Sequence, residues 1–237
     1  MAEYTFVAEK ICPICGKSTR VVKTKSRLVA EKRDEDFCVH YKDFNPYYYR
    51  IWFCEHCGYA ADEKTFLGYM PEKSKERLRE FLSKRNLAME FTEVRGVPEA
   101  VASYQLAIHY LELVNAPASK LAGRYLEWAW IYRSSGEKEK EMEKLKKAAD
   151  LYNYSIMTER YPIGDMSDTM ALYLVGAIYY RMGDLEKCTQ YLSRIIGDQS
   201  VRSTDPKLYD RTRYLWQDVR ALQGGEEPDE KQKKKKK

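Results

Sequence analysis

Residues 12–16 read CPICG and residues 54–58 read CEHCG, which places two Cys-x-x-Cys-Gly knuckles in one short region. Two residues between the cysteines let the chain turn tightly, so that both sulfurs point at one ion. The glycine after each pair lets the backbone fold beneath that ion. Four thiolates in two knuckles form a closed tetrahedral shell, which is typical of a structural site. The pattern predicts one structural zinc ion bound by Cys12, Cys15, Cys54 and Cys57.

Two alternatives to structural zinc stay open at this stage. Iron fits the same four-sulfur geometry, because ligand softness alone does not separate the two metals. A thiol redox protein would need a reactive cysteine at the start of a helix. Pro13 and Ile14 separate the first pair, and no helical pattern follows Gly16, so the redox alternative is the weaker one.

The composition is typical of a folded protein without a membrane span. The chain has 237 residues, of which 44% are hydrophobic and 32% are charged. No stretch approaches the roughly 18 to 20 uninterrupted apolar residues that a span requires. Residues 1–10 lack the basic and then apolar pattern of a secretory signal. We expect a cytoplasmic protein, in which paired thiols bind metals or serve redox chemistry instead of forming disulfides.

The composition changes near residue 70. Residues 1–70 hold five of the six cysteines and two β-rich runs, STRVVKTKSRLV (18–29) and YYYRIWF (47–53). β-branched and aromatic residues in short runs favour strands. Few large aliphatic residues are present to form a core, which makes a metal useful. We predict a small, β-rich, zinc-ribbon-like module over residues 1–70.

A helical period dominates from residue 71 to residue 224, so the fold class is mainly α. Asp205 before Pro206 is a typical helix start, since Asp caps the first turn and Pro fits within it. Gly136 and Gly183 suit the left-handed position that ends a helix. The breaks predict about seven helices, at roughly 72–89, 98–114, 118–134, 137–157, 167–182, 184–197 and 205–223.

Residues 172–196 follow the spacing of a tetratricopeptide repeat, which pairs two helices in a hairpin. Gly176 lets the helices approach, Gly183 turns the chain, and Cys188 fills a small buried position. A weaker copy lies 47 residues upstream, where Glu141 takes the position of Cys188. Because the standard repeat has about 34 residues, the array is irregular. We interpret the helices as stacked tetratricopeptide-like hairpins.

Basic residues suggest a second function. The formal net charge is +5, but residues 226–237 (EEPDEKQKKKKK) contribute six Lys against four acidic residues. We predict that residues 225–237 form a disordered charged tail. A local basic excess near the metal knuckles makes nucleic-acid binding an alternative function. Its candidate residues lie between positions 17 and 33: Lys17, Arg20, Lys23, Lys25, Arg27, Lys32 and Arg33.

The segment between the knuckles is dense in charged and aromatic side chains. One interpretation is that Asp and Asn supply turns and the aromatic residues cover a small core. The other is a recognition surface that the zinc holds rigid. Cys38 and His40, spaced as C-x-H, are also candidates for an additional metal ligand. The candidate binding residues are Arg33, Asp34, Asp36, Cys38, His40, Tyr41 and Asn45.

Several of these motifs together resemble a bacterial family catalogued as a domain of unknown function. The resemblance extends to about residue 222 and rests on CPICG, RDEDFC, NPYYY, CEHCGYA and APASKLAGRYLEWAWIYR. It implies a zinc-ribbon-like region joined to tetratricopeptide-like helices in a cytoplasmic bacterial protein. It implies no reaction and no substrate.

The hypothesis that combines these features is a zinc-stabilised scaffold or adaptor that binds a protein or peptide partner through its helices. The sequence has no HExxH, P-loop, GxSxG or GxGxxG motif, so we expect no enzyme and no small-molecule substrate. We expect about two thirds of a group of aromatic residues to fill space between helices and the others to be exposed anchors. These are Tyr104, Tyr110, Tyr125, Trp128, Trp130, Tyr132, Tyr173, Tyr179 and Tyr180.

Overall fold

The computed structural model describes residues 3–84 and 92–225. Its N-terminal part contains three antiparallel strand pairs, each of two strands. Such a pair is marginally stable alone, so all three depend on what they pack against. The pairs are β1 (Thr5–Ile11) with β2 (Ser18–Thr24), β3 (Ala30–Arg33) with β4 (Val39–Tyr41), and β5 (Ile51–Phe53) with β6 (Ala60–Asp62).

The two predicted strand runs have different outcomes. The first contains β2, as expected. The second is extended only from Ile51, because Pro46–Tyr49 form a 3-10 helix. Asn45 accepts a hydrogen bond from the backbone N of Tyr47 (3.0 Å), and Pro46 fixes the first turn. The sequence prediction of a strand over the first half of this run is therefore wrong.

The described residues between 63 and 223 are mainly helical, and the predicted fold class is confirmed. The helix that begins at Glu72 ends at Ser83, and residues 85–89 of the predicted 72–89 helix lie outside the described part. Two helices of five and six residues, α1 and α8, are too short to show a periodic pattern. The helices are α1 (Glu63–Leu67), α2 (Glu72–Ser83), α3 (Val97–Leu113), α4 (Ala118–Ser135), α5 (Lys138–Thr158), α6 (Asp168–Met182), α7 (Leu185–Gly197), α8 (Gln199–Thr204) and α9 (Pro206–Gln223).

The helix ends follow the expected capping chemistry. Asp205 accepts a hydrogen bond from the backbone N of Leu208 (3.0 Å) at the start of α9. Gly136 and Gly183 end α4 and α6 with φ of 77° and 82°. Glycine enters this left-handed region at little cost, which explains both stops.

One hydrophobic core joins the N-terminal part to the helices. Consecutive helices from α3 to α7 pack on each other, and α9 packs on α6 and α7. The main core cluster contains Ile51 and Tyr59 from the N-terminal part and Tyr104, Ile131 and Ile178 from the helices. The division into a 1–70 module and a 71–224 helical domain stays a prediction. The predicted 225–237 tail lies almost wholly outside the described residues.

Gly176 marks the close approach of α6 and α7. A Cβ added there would lie 2.8 Å from Leu192 Cδ2, which is too close. We expect Gly176→Ala to lower the free energy of unfolding by about 1–3 kcal/mol in urea denaturation. Gly123→Ala in α4 is the control, since its Cβ would meet only Tyr152 Oη at 3.5 Å. Equal effects of the two substitutions would contradict the close approach.

Candidate metal centre and binding groove

The tips of two hairpins bring the four predicted cysteines together. Cys12 Sγ lies 3.7 Å from Cys57 Sγ, and Cys15 Sγ lies 3.6 Å from Cys54 Sγ. All four sulfurs lie within 4.8 Å of one another. Sulfurs bound at 2.3 Å to a tetrahedral zinc ion are about 3.8 Å apart, whereas a disulfide needs about 2.05 Å. The spacing fits one shared metal ion and no disulfide.

The backbone of each knuckle holds its sulfurs in place. Gly16 N donates to Cys12 O (3.0 Å), and Gly58 N donates to Cys54 O (2.8 Å). The two glycines have φ of 73° and 75°. Only glycine takes this conformation without strain, so the turn shape that the two knuckles share depends on it.

Close contact among the four cysteines shifts the pKa of their thiols. A hydrogen bond with Cys54 raises the pKa of Cys12 to about 12, and one with Cys12 raises the pKa of Cys57 far above its usual value. The pKa of Cys54 is lowered, because Cys12 and Cys57 both donate to it. A divalent cation would stabilise all four thiolates and release their protons on binding. An all-sulfur donor set suits zinc or iron, and does not suit magnesium or calcium.

The surroundings of the knuckles differ from those of a redox motif. The first knuckle leads through Gly16 into the strand β2, where a thiol redox motif would have a helix. His56 lies inside the second knuckle, is exposed, and hydrogen-bonds through Nε2 to Ser18 O (2.8 Å). The redox alternative stays a prediction without support from this geometry.

Arg133 of α4 binds three carboxylates in the interior. Its Nη1 lies 2.8 Å from Asp34 Oδ2, its Nη2 2.7 Å from Asp36 Oδ2, and its Nε 2.7 Å from Glu141 Oε1. Trp130 Nε1 also donates to Asp36 Oδ2 (3.0 Å). The Arg133 side chain is only 4% exposed. The β3–β4 loop is therefore fastened to α4 and α5 by a buried charge cluster.

Further contacts balance the charges of this cluster. Arg181 Nε lies 2.9 Å from Glu141 Oε1, and both Lys32 Nζ and His40 Nε2 lie 2.7 Å from oxygens of Asp34. Burial tends to raise the pKa of Asp34, but hydrogen bonds from His40 and Lys32 and the charge of Arg133 lower it to about 2. Asp34 is therefore ionised at neutral pH. We call Asp34, Asp36, Arg133, Glu141 and Arg181 the Arg133 cluster.

The predicted recognition surface between the knuckles needs correction. Asp34, Asp36 and Cys38 are 5%, 1% and 3% exposed, so they are not surface residues. Arg133 takes up both carboxylates and burial covers the thiol, so these three residues do not form an exposed surface, and a binding role for them stays a prediction. Their alternative interpretation as turn and core residues describes them better.

The other candidate residues of this segment are more accessible. Arg33 is exposed, and His40, Tyr41 and Asn45 are half-buried. Asn45 Nδ2 donates to Ser134 Oγ (2.9 Å), so Asn45 contacts the end of α4. A binding role for Arg33, His40, Tyr41 and Asn45 stays a prediction.

Three of the seven basic candidate residues form ion pairs with acidic side chains. Arg20 Nη2 lies 2.7 Å from Glu55 Oε2, and Lys23 Nζ lies 2.7 Å from Glu63 Oε1. Lys32 binds Asp34, as described above. These ion pairs reduce the local positive charge available for phosphates. Nucleic-acid binding stays a prediction.

A groove of about 570 Å³ lies between the N-terminal part and the helices. A smaller cavity of about 230 Å³ adjoins it and shares part of its lining, including Asp62, Lys120 and Tyr69. Tyr69, between α1 and α2, is 94% exposed. The apolar lining of the groove includes Phe37, Leu111, Leu126, Trp130, Tyr152, Met166, Met170 and Leu174.

Charged side chains of both signs border this groove. Lys64 Nζ of α1 lies 2.8 Å from Asp165 Oδ2 in the loop before α6, and both side chains are more than 85% exposed. Within the groove, Arg124 Nη1 lies 3.0 Å from Glu127 Oε2 and 3.7 Å from Asp62 Oδ2. The groove therefore offers an apolar floor between charged walls.

The aromatic residues that the sequence singled out are mostly internal. Tyr125, Tyr179 and Tyr180 are half-buried. The other six are between 0% and 8% exposed, which matches the expectation that most fill space between helices: Tyr104, Tyr110, Trp128, Trp130, Tyr132 and Tyr173. Tyr69, the most exposed large hydrophobic residue in the described part of the chain, was missed because it lies outside any periodic helical pattern.

Fold and site together define a mainly α protein with a four-cysteine cluster in its β-rich N-terminal part. Residues 6–219 match the family described as "Uncharacterized protein conserved in bacteria (DUF2225)", so the chain belongs to this family. The resemblance inferred from the motifs is confirmed. No curated protein and no solved structure matches the chain. Within the described residues, no helix is both long enough and apolar enough to span a membrane.

Proposed function

We propose that the protein is a zinc-stabilised scaffold that binds a segment of a protein partner in the groove between its N-terminal part and its helices. The observation that carries this proposal is Tyr69, which stands 94% exposed between two adjoining cavities. Large exposed aromatic residues beside apolar pockets are typical binding hot spots.

The lining of the groove favours a peptide as its occupant. Its floor is made of aromatic, Leu and Met side chains, which accommodate apolar side chains of varied shape. Lys64, Lys120 and Asp165 at its border can bind polar and charged groups of a peptide. The interpretation of the helices as tetratricopeptide-like hairpins supports the same use, because such arrays present concave surfaces to peptides.

The metal would act on the groove through β6 and α1. Tyr59 lies two residues after Cys57, and its ring stacks on Tyr110 of α3 with centroids 5.9 Å apart. Asp62 and Lys64, a few residues further on, line the groove. Holding the second knuckle therefore fixes the wall of the groove. All six cysteines are free thiols, which suits a cytoplasmic location with a bound metal.

Three variants test the groove in pull-downs from native bacterial lysate. Tyr69→Ala removes the exposed ring, and Gly123→Leu fills the groove at a position where the added Cβ meets only Tyr152 Oη. We expect both to lower recovery of the partner about tenfold or more, as at a binding hot spot. Tyr154→Ala in α5, 57% exposed and away from the groove, is the matched control.

The control variant should recover the partner as well as the wild type does. Equal recovery by all four proteins would show that binding does not use the groove. Absence of any partner in the wild-type sample would count against the scaffold itself.

A further inference from the structure

We propose that Asp34, Cys38 and His40 form a second metal site, for a divalent transition metal such as Zn²⁺ or Co²⁺. Their ligand atoms, a carboxylate oxygen, a thiol sulfur and an imidazole nitrogen, lie within 4.8 Å of one another. This mixture of oxygen, sulfur and nitrogen donors is one that zinc accepts. The proposal is independent of the groove and of the four-cysteine cluster.

The β3–β4 turn brings the three side chains together. Asp34 N donates to Cys38 O (2.8 Å), which closes the turn. His40 lies in β4 and Cys38 directly precedes this strand, and side chains two positions apart along a strand lie on the same face. Phe37 has a φ of 69°, which is uncommon for a bulky residue, and its ring packs on Tyr173 with centroids 5.5 Å apart. Packing therefore fixes the turn in a shape that brings the ligand atoms of Asp34, Cys38 and His40 close together.

Neighbouring side chains orient the carboxylate ligand. Lys32 binds Asp34 Oδ1, and Arg133 and His40 both approach Asp34 Oδ2, at 2.8 Å and 2.7 Å. A carboxylate oxygen can accept one hydrogen bond and still bind a metal ion, so Arg133 serves as an outer partner. His40 Nε2 would exchange its contact with Asp34 for the ion.

The charge balance allows an ion of charge +2. The carboxylates of Asp34, Asp36 and Glu141 are matched by Arg133, Arg181 and Lys32. Burial raises the pKa of Cys38, so the thiol is neutral before the ion binds. Binding forms the metal–sulfur bond and releases the thiol proton to water, which leaves one added positive charge.

The site is reachable from solvent. The His40 side chain is 35% exposed, and Asp34 lines a cavity of about 360 Å³ that also contains Arg181 and Tyr180. Three protein ligands leave a fourth position for a water molecule. Such a site exchanges its ion more readily than a shell of four thiolates, so it is suited to a reversible metal.

A stoichiometric titration of the full chain tests this site. Protein loaded with one equivalent of zinc is titrated with Co²⁺, and total bound metal is counted by elemental analysis after gel filtration. We expect two ions per chain for the wild type, and one for His40→Gln and Cys38→Ser. Gln at position 40 can still hydrogen-bond to Asp34, so this variant keeps the fold even where Cys38→Ser does not.

His109→Gln is the matched control, because His109 is exposed on α3 and lies against Phe81, away from this turn. It should bind two ions. One ion per wild-type chain would overturn the second site, and so would two ions in His40→Gln.

Discussion

Cys54→Ala is expected to abolish binding at the four-cysteine cluster and to lower the free energy of unfolding by roughly 5 kcal/mol or more. Binding of structural zinc to small domains is worth about 10–16 kcal/mol, and this free energy is folding free energy where the unfolded chain has no preformed site. Three thiolates cannot complete the shell that closes two hairpins. Each hairpin is only marginally stable without it.

Cys188→Ala is the matched control for this substitution. Cys54 and Cys188 are both 0% exposed, but Cys188 lies in α7, packs among residues of α6 and α9, and is remote from the sulfur cluster. Removing its sulfur leaves a small cavity at a cost of about 1 kcal/mol. Metal content and urea denaturation of both variants provide the comparison. If the two lost equal stability and the Cys54 variant kept its metal, the structural role of the cluster would be refuted.

The shared hydrophobic core determines how much of the protein unfolds when the metal is lost. From the sequence alone, we would expect loss of the metal to unfold residues 1–70 and to leave most of the helical far-UV signal unchanged. In the structure, Tyr59 packs on Tyr110, and Tyr104 Oη donates to Tyr47 O (3.3 Å). Because α3 is covered by the N-terminal part, we expect α3 and α4 to lose protection in hydrogen exchange as well.

Arg133→Met is expected to lower the free energy of unfolding by about 3–5 kcal/mol. The substitution keeps the length of the side chain and removes its charge. It leaves Asp34, Asp36 and Glu141 buried beside one another with less positive charge, and breaking one side of a buried ion pair has this cost. Urea denaturation at neutral pH measures the effect.

Arg213→Met provides the comparison at the surface. Arg213 Nη1 lies 3.4 Å from Asp210 Oδ1, and both side chains are more than half exposed. Such pairs contribute about 0–1 kcal/mol, so the control should unfold almost as the wild type does. A loss below 1 kcal/mol in Arg133→Met would mean that the Arg133 cluster does not fasten the β3–β4 loop.

The sequence predicted those parts of the molecule that depend on local chemistry. Knuckle spacing placed Cys12 and Cys57 near each other, and capping residues such as Asp205 and Gly183 placed the helix ends. Within each knuckle and at each helix end, the inference uses residues within a few positions of one another. Only the pairing of the two knuckles needed a long-range argument, and a shared metal ion supplied it.

The Arg133 cluster was missed because its members are distant in sequence. Arg133 and Asp34 are 99 residues apart, and nothing local pairs them. Two signals were available. Arg133 ends a run of aromatic and aliphatic residues, and Glu141 occupies a repeat position where a small apolar residue is expected. A charged residue at a buried position needs a buried partner, so each implied a hidden ion pair.

The groove also lay beyond sequence reasoning. It depends on how the segment around Asp62 and Tyr69 lies against α4 and α6, and amino-acid patterns do not encode such an arrangement of parts. The sequence indicated a helical surface for a partner. In the structure, the N-terminal part that carries the four-cysteine cluster forms one wall of the groove, so the proposed function combines both features.

X-ray absorption at the metal edge identifies the ion and the ligands of the four-cysteine cluster. The sample is the full chain purified without chelators and brought to one bound metal per chain. We expect a zinc or iron ion with four sulfur neighbours at about 2.3 Å and no nitrogen or oxygen neighbour. A chain that carries no metal with all thiols reduced, or an ion bound mainly by nitrogen and oxygen, would contradict this expectation.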